Sequence, residues 1–355
     1  MCKREAIGEN MAYPKPLSKK SIERMYAASK LTREKIVFLH NFFDSCASLY
    51  GSICLGDMWE VYKELSEKTD VVKIQRKDII AFSLIARREV HDYCVYEIDE
   101  LYSAEERSDK NRYVILGEII GNGKEQVFYQ LDELQEGKPF YVPENLLELK
   151  GHVVTQEEKN LVDFIENLRA TCPVIRNPWN EKMNRLSPHQ GKKLKDFSFL
   201  RPEEEFKREW LSGEVKGGSK KCQQKKLDDF MASIQGTFAE KVFRDLRLNL
   251  FTGWCRFLDQ VRYTMDNLTE VGVEFTENEA DTFLQLVQDF NNNSHLYIDR
   301  GWTPSALSEY YRKMNPNQKL VITLGSGIRE AIERGEISLE ALKEQARVEG
   351  LEIQL

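Results

Sequence analysis

The feature that most constrains this chain is the helical spacing of its apolar residues. Between Thr32 and Tyr50 they recur every three or four positions, the period that gathers side chains on one face of an α-helix. Thr32 is a suitable N-cap, and Gly51 is a suitable end. Comparable spacing predicts further helices at about 57–68, 76–90, 155–171 (capped by Thr155), from Thr276 onward, and elsewhere after residue 226. The chain is therefore expected to be mainly α-helical.

One region departs from this spacing. Residues 93–101 and 113–120 are rich in Val, Ile and Tyr, a composition typical of β-strands. The charged segment 103–112 separates them, so they predict a hairpin. Three predicted helices precede it, which is the element order of winged-helix domains. The predicted fold class is mainly α with an α+β N-terminal domain, consisting of winged-helix-like helices plus a hairpin, followed by a C-terminal helical domain.

Charge and composition divide the chain further. Residues 173–226 contain fourteen Lys or Arg against seven Asp or Glu, although the whole chain has a net charge of −7. Such a stretch is typical of a basic connection. We predict five segments: a partly ordered polar arm at 1–30, an α+β domain at 31–150, a helix at 151–172, a basic Pro/Gly-containing connection at 173–226 and a helical domain at 227–355.

Composition also bears on compartment. No run approaches the roughly 20 apolar residues that a membrane-spanning helix needs, and the first residues lack the apolar stretch of a secretory signal. The seven cysteines are scattered and contain no C-x-x-C pair, which favours reduced thiols. We expect a cytoplasmic protein with no membrane contact and no cofactor.

Basic residues indicate nucleic-acid contact at two places. One is the third predicted helix, which would be the recognition helix of a winged-helix domain, and the other is the basic connection, because cationic groups bind phosphates by releasing counterions. The helix offers few side chains to read bases, and a solvated linker is the alternative for the connection. The candidate residues are Arg76, Lys77, Arg87, Arg88, Lys192, Lys193, Lys220, Lys221, Lys225 and Lys226.

A polar cluster near the end of a predicted helix is a candidate metal site. Asp289, His295 and Asp299 place two carboxylates and an imidazole within 11 residues, and these groups serve as metal ligands or as acid–base pairs in hydrolases. The alternative is structural, because Asn291, Asn292 and Asn293 are residues that end helices. Both interpretations stay open at this point.

Sequence motifs for catalysis are missing. The chain has no Walker loop, no Gly-x-Ser-x-Gly elbow and no His-Glu-x-x-His pair. An apolar run from Leu320 leads into Gly325-Ser326-Gly327, which is half of a dinucleotide-binding fingerprint. Glu330 replaces the third glycine, and we expect no strand after it. The run is interpreted as a turn and a helix start.

Two stretches resemble a known group of proteins. Residues 291–297 with 300–307, and the Phe-Leu-His-x-Phe-Phe run within 35–50, are similar to uncharacterised bacterial proteins that often end in a SEC-C zinc motif. The resemblance implies a bacterial, cytoplasmic protein. This chain has no cysteine after Cys255, so the zinc motif is absent here.

These observations favour a non-enzymatic binding or regulatory protein that contacts DNA or RNA through basic surface. One alternative is a protein–protein adaptor, which predicts an apolar groove on the helices over 238–265. Another is a metal-dependent hydrolase that uses residues 289–299. The sequence does not determine the oligomeric state.

Overall fold

The structure is a computed structural model. It describes residues 13–102, 105–120, 125–151, 154–170, 192–196, 238–254, 256–270, 272–315, 320–323, 332, 334, 338–348 and 351–354. The chain divides into two compact units, Met1–Pro304 and Ser305–Leu355. It is mainly helical, with a small antiparallel sheet in its N-terminal part.

Four helices open the first unit. Their bounds are α1 Lys19–Ala28, α2 Arg33–Tyr50, α3 Leu55–Lys68 and α4 Arg76–Ala86. Helix α2 begins and ends as predicted: the Thr32 side chain accepts a hydrogen bond from the Lys35 amide, and Gly51 closes the helix at a φ of 69°. Helix α1 lies in the segment predicted as a polar arm. No helix was predicted there; it forms after Pro14 and Pro16, where the Ser18 side chain caps its first turn.

The sheet joins three short strands, β1 Ser52–Cys54, β2 Tyr93–Tyr96 and β3 Tyr113–Leu116. Both pairings are antiparallel, and the strand order is β1-β3-β2. The predicted hairpin is confirmed as β2–β3. Its strands are shorter than expected, since each continues into a short helix, α5 Ile98–Leu101 and α6 Gly117–Ile120. Strand β1 was not predicted, because three residues are too few to show a period.

An aromatic core holds α2, α3 and α4 against this sheet. Phe42, Phe43 and Phe82 are fully buried, and the rings of Phe43 and Phe82 lie 4.8 Å apart in an edge arrangement. Each such side chain contributes about 1.5–3 kcal/mol by leaving water. The core therefore fixes the inner face of α4 and leaves its opposite face to solvent.

The rest of the first unit is helical. It contains α7 Glu125–Gln135, α8 Gln156–Asn167, α9 Phe238–Thr252, α10 Phe257–Glu270 and α11 Glu277–Asn293, with a short pair of strands, β4 Arg169–Ala170 and β5 Lys192–Lys193. Thr155 and Thr276 cap α8 and α11 as predicted. These helices surround a second core that includes Phe128, Phe283 and Phe290.

The unit boundary differs from the predicted domains. Residues 31–150 and the helices α9 to α11 belong to one unit, whereas the predicted helical domain 227–355 is divided after Pro304. A buried side chain connects the N-terminal part to these later helices: Gln135 on α7 donates to the carbonyl oxygens of Tyr50 and Tyr297, at 2.8 and 2.7 Å. Most of the predicted connection, 173–226, lies outside the described residues.

The second unit contains a parallel strand pair. Helix α12 runs Pro304–Met314, and strand β6 Leu320–Thr323 pairs with β7 Leu351–Gln354, the helix α13 Leu339–Val348 lying between them in sequence. The expectation that no strand follows the Gly325-Ser326-Gly327 turn was wrong, because β7 lies beyond it. Four residues at the end of the chain carried too weak a pattern to predict β7. Gly325 to Gly327 lie outside the described residues.

Within the part of the chain that the structure describes, no helix is both long enough and apolar enough to span a membrane.

Candidate nucleic-acid interface

The inner face of α4 is fixed by burial and by its first turn. Ile79, Phe82 and Ile85 are buried. At the start of the helix the Asp78 carboxylate accepts the Gln75 amide at 2.8 Å and pairs with Lys35 at 2.6 Å. The helix is therefore held rigidly, which is a requirement for a surface that inserts into a groove.

Cationic residues lie at and just beyond both ends of α4, and the exposed Leu84 lies between them in sequence. Lys77 is exposed, as is Lys73 three residues before the helix, and Arg76 and Arg88 are partly exposed. Among the described residues, these four cationic side chains make no hydrogen bond or ion pair. Their charges are available to a ligand that carries negative charge.

Arg87 has a different role from the one predicted. Its guanidinium pairs with the Glu100 carboxylate, approaches Glu97 at 3.9 Å, and is only 12% exposed. It anchors the end of α4 to the segment after β2. Because burial and pairing occupy its donors, we remove Arg87 from the candidate phosphate contacts.

The segment between β2 and β3 corresponds in position to a wing. Residues 97–112 contain six acidic and three basic residues, and Arg112 is buried against Glu97. Acidic groups repel phosphates, so this segment adds little to a nucleic-acid surface, and the outer face of α4 remains the principal candidate.

The basic connection is only partly described. Lys192 and Lys193 form β5, and the Lys193 ammonium donates to the Asn167 side chain at 2.7 Å. The candidates Lys220, Lys221, Lys225 and Lys226 lie outside the described residues. No common surface can be drawn from this group.

The predicted metal cluster does not form. Asp289 accepts from Gln285 on α11, the Asp299 carboxylate pairs with Lys138 at 2.8 Å, and Nδ1 of His295 lies 2.6 Å from the Gly301 carbonyl oxygen. The ligand atoms of these three residues do not all lie within 4.8 Å of one another. The structure does not bring the three together, because each group binds its own local partner.

A different set of ligand atoms does come together in the described part of the chain. Two imidazoles and a carboxylate, from His40, His91 and Glu89, lie within 4.8 Å of one another. No pattern in the sequence singles out His40, which lies in α2, or His91, which lies after α4. Because 51 positions separate the two histidines, no local spacing could have identified the set.

Comparison with protein-family models, with curated proteins and with solved structures gave no match.

Proposed function

We propose that the chain is a non-enzymatic binding or regulatory protein whose N-terminal part is a winged-helix-type domain that contacts nucleic acid through α4. The observation that carries the proposal is topology: the order α2-β1-α3-α4-β2-β3 with sheet order β1-β3-β2. In this arrangement α3 and α4 form the helix-turn-helix, and α4 takes the recognition position.

The cationic residues around α4 also favour nucleic-acid contact through this helix. Lys77 lies in the first turn of α4, Lys73 lies three residues before the helix and Arg88 two residues after it, positions from which they could contact the phosphates that flank an inserted helix. Duplex DNA is the expected ligand, because its major groove admits an α-helix whereas that of duplex RNA is deep and narrow. The apolar middle, including Leu84, is suited to contact with thymine methyl groups.

The test is binding of the full chain to labelled duplex DNA, measured by fluorescence anisotropy over a salt series. Lys77→Glu is expected to weaken binding about tenfold or more at low salt and to reduce the salt slope by about one unit. Lys159→Glu, the same charge change on an exposed position of α8, is the matched control. The proposal fails if the wild type binds neither DNA nor RNA at low salt, or if both variants weaken binding equally.

A second candidate is the protein adaptor. An open groove of about 650 Å³ lies between α10 and α11, and it is lined by Leu258, Val261, Met265, Phe275 and Leu284 among others. Grooves of this kind accept the apolar face of a partner helix. Met265→Glu would abolish capture of such a partner and leave DNA binding unchanged, which separates the two candidates in one pair of assays.

A further inference from the structure

Three elements of the N-terminal region meet beside the carboxyl end of α4. His40 lies on α2, Glu89 and His91 lie in the segment between α4 and β2, and Tyr26 lies on α1. The aromatic core sets the position of the rings: His40 packs edge-on against Phe82 at 4.8 Å between centroids. The side chains are therefore held in place by packing that does not depend on a ligand.

Their polar atoms converge on a single point. Nε2 of His91 lies 3.4 Å and Nε2 of His40 lies 4.0 Å from the same oxygen of Glu89, Oε2. The Tyr26 hydroxyl is also there, 2.6 Å from that oxygen and 3.0 Å from Nε2 of His40. Two imidazole nitrogens and one carboxylate oxygen thus face each other across a space of atomic size.

One of these atoms has no hydrogen-bond partner in the described structure. Nε2 of His91 is buried, and its approach to Glu89 lacks hydrogen-bond geometry. The His91 ring itself is stacked on Tyr93 with centroids 4.6 Å apart and planes 5° from parallel. A buried polar atom without a hydrogen-bond partner is costly, and a bound ion or a water molecule would satisfy it.

We propose that His40, Glu89 and His91 form a binding site for a divalent transition-metal ion of the zinc class. Two imidazoles and a carboxylate are a ligand set that zinc accepts. Tetrahedral bonds of about 2.1 Å place neighbouring ligand atoms about 3.4 Å apart. The two imidazole nitrogens lie 3.4 and 4.0 Å from the Glu89 oxygen, close to that spacing, and all three ligand atoms lie within 4.8 Å of one another.

The surroundings favour a cation. Asp44 follows His40 by one helical turn and lies close enough to interact electrostatically with both histidines. The side chains of Glu89 and His91 are only 18% and 13% exposed, so water screens the charges poorly. The hydroxyl of Tyr26 or a water molecule can take the remaining position. The bound ion would tie α1, α2 and the end of α4 together, and this site does not depend on nucleic-acid binding.

The test uses the full chain freed of metal by a chelator and kept reduced. Zn²⁺ affinity is measured by competition with a chromophoric chelator for the wild type, His40→Gln, His91→Gln and Glu89→Gln. Glu67→Gln, an exposed carboxylate on α3, is the matched control. We expect one equivalent of Zn²⁺ to bind at this site, and each of the three substitutions to lower its affinity about tenfold or more, while Glu67→Gln leaves it unchanged.

A spectroscopic measurement on the wild type covers the case in which a variant does not fold. Co²⁺ at this site should give the intense visible ligand-field bands of four-coordinate cobalt without the near-ultraviolet thiolate band that cysteine ligation produces. If those visible bands are absent, or if folded His40→Gln and His91→Gln bind Zn²⁺ as tightly as the wild type, the proposal is overturned.

Discussion

At the scale of single residues, the guanidinium of Arg112, just before β3, links that strand to α4 and to the segment after β2. Its side chain is 6% exposed. The guanidinium donates to Glu97 at 2.8 Å, to the Ser83 hydroxyl of α4 at 3.2 Å and to Asp109 at 2.5 Å. A buried ion pair adds little net stability while it is intact, but loss of Arg112 would leave the buried Glu97 carboxylate with only the more distant Arg87, at 3.9 Å, as a counter-charge.

Arg112→Met is therefore expected to lower the free energy of unfolding by about 3–5 kcal/mol. The measurement is urea denaturation followed by circular dichroism. Arg107→Met is the matched control, because Arg107 makes the same kind of pair with Asp99 but is 64% exposed. We expect no measurable change in the control, and equal losses in the two variants would contradict the assignment.

His295 gives a pH dependence. Burial lowers its pKa below the usual 6.5, although the hydrogen bond with Gly301 opposes this. The unfolded chain then binds a proton at a higher pH than the folded chain does, so stability falls as the pH drops below about 6.5. We expect His295→Gln to make the free energy of unfolding less dependent on pH between about 6.5 and 5, as measured by urea titrations at each pH. An unchanged slope would show that His295 does not titrate as argued.

At the scale of elements, the turn at 295–302 lies tightly against side chains of α2. Gly301 has a φ of 80°, and an added Cβ would lie 2.7 Å from the Leu49 side chain and 3.0 Å from the Tyr50 ring. Glycine is therefore needed twice, for the left-handed conformation and for the contact with α2.

Gly301→Ala separates these two requirements when it is compared with Gly137→Ala. Gly137 also has a positive φ, of 77°, but nothing lies within 4 Å of its added Cβ. We expect Gly137→Ala to cost about 1–2 kcal/mol from the backbone alone, and Gly301→Ala to cost about 1–3 kcal/mol more from the clash. Thermal or urea unfolding of both variants tests this. Equal losses of stability would mean that α2 shifts to admit the added methyl group at no measurable free-energy cost.

At the scale of the whole molecule, hydrogen bonds join residues in the middle of the first unit to residues near its end, and those of Gln135 are buried. Beyond the two bonds of Gln135, Trp302 donates to the Pro139 carbonyl at 3.1 Å and Arg300 donates to the Lys138 carbonyl at 3.0 Å. Residues 135–139 are thus joined to 297–302. This contact explains why the α+β part and the helices α9 to α11 form a single compact unit.

Gln135→Leu is expected to lower the free energy of unfolding by about 2 kcal/mol or more, because the carbonyl oxygens of Tyr50 and Tyr297 lose a buried donor. Gln130→Leu is the matched control on the same helix: Gln130 also donates to two carbonyls, but water can reach and replace it there. Urea denaturation curves of the two variants give the two losses in the free energy of unfolding. If the two losses are equal, burial of Gln135 does not matter.

The fold was predictable where its signals are local. The period of α2 and the caps Thr32, Thr155 and Thr276 are set by neighbouring residues, and the structure confirms them. Strand β1 was not predicted because three residues are too few to show a period. Helix α1 was not predicted because the two prolines before it suggested that the segment contains no regular structure. The division of the chain into units was also missed, since it depends on contacts between residues 50, 135 and 297.

The sequence by itself determined the mainly helical architecture, the hairpin and the excess of cations around α4, because periodicity and charge are properties of neighbouring residues. Only the tertiary structure decided what the polar side chains do. It paired Arg87 with Glu100 and Asp299 with Lys138, and it brought His40 to Glu89 and His91. Partners distant in the chain meet only when the core closes, and burial then determines which charges are committed and which remain available.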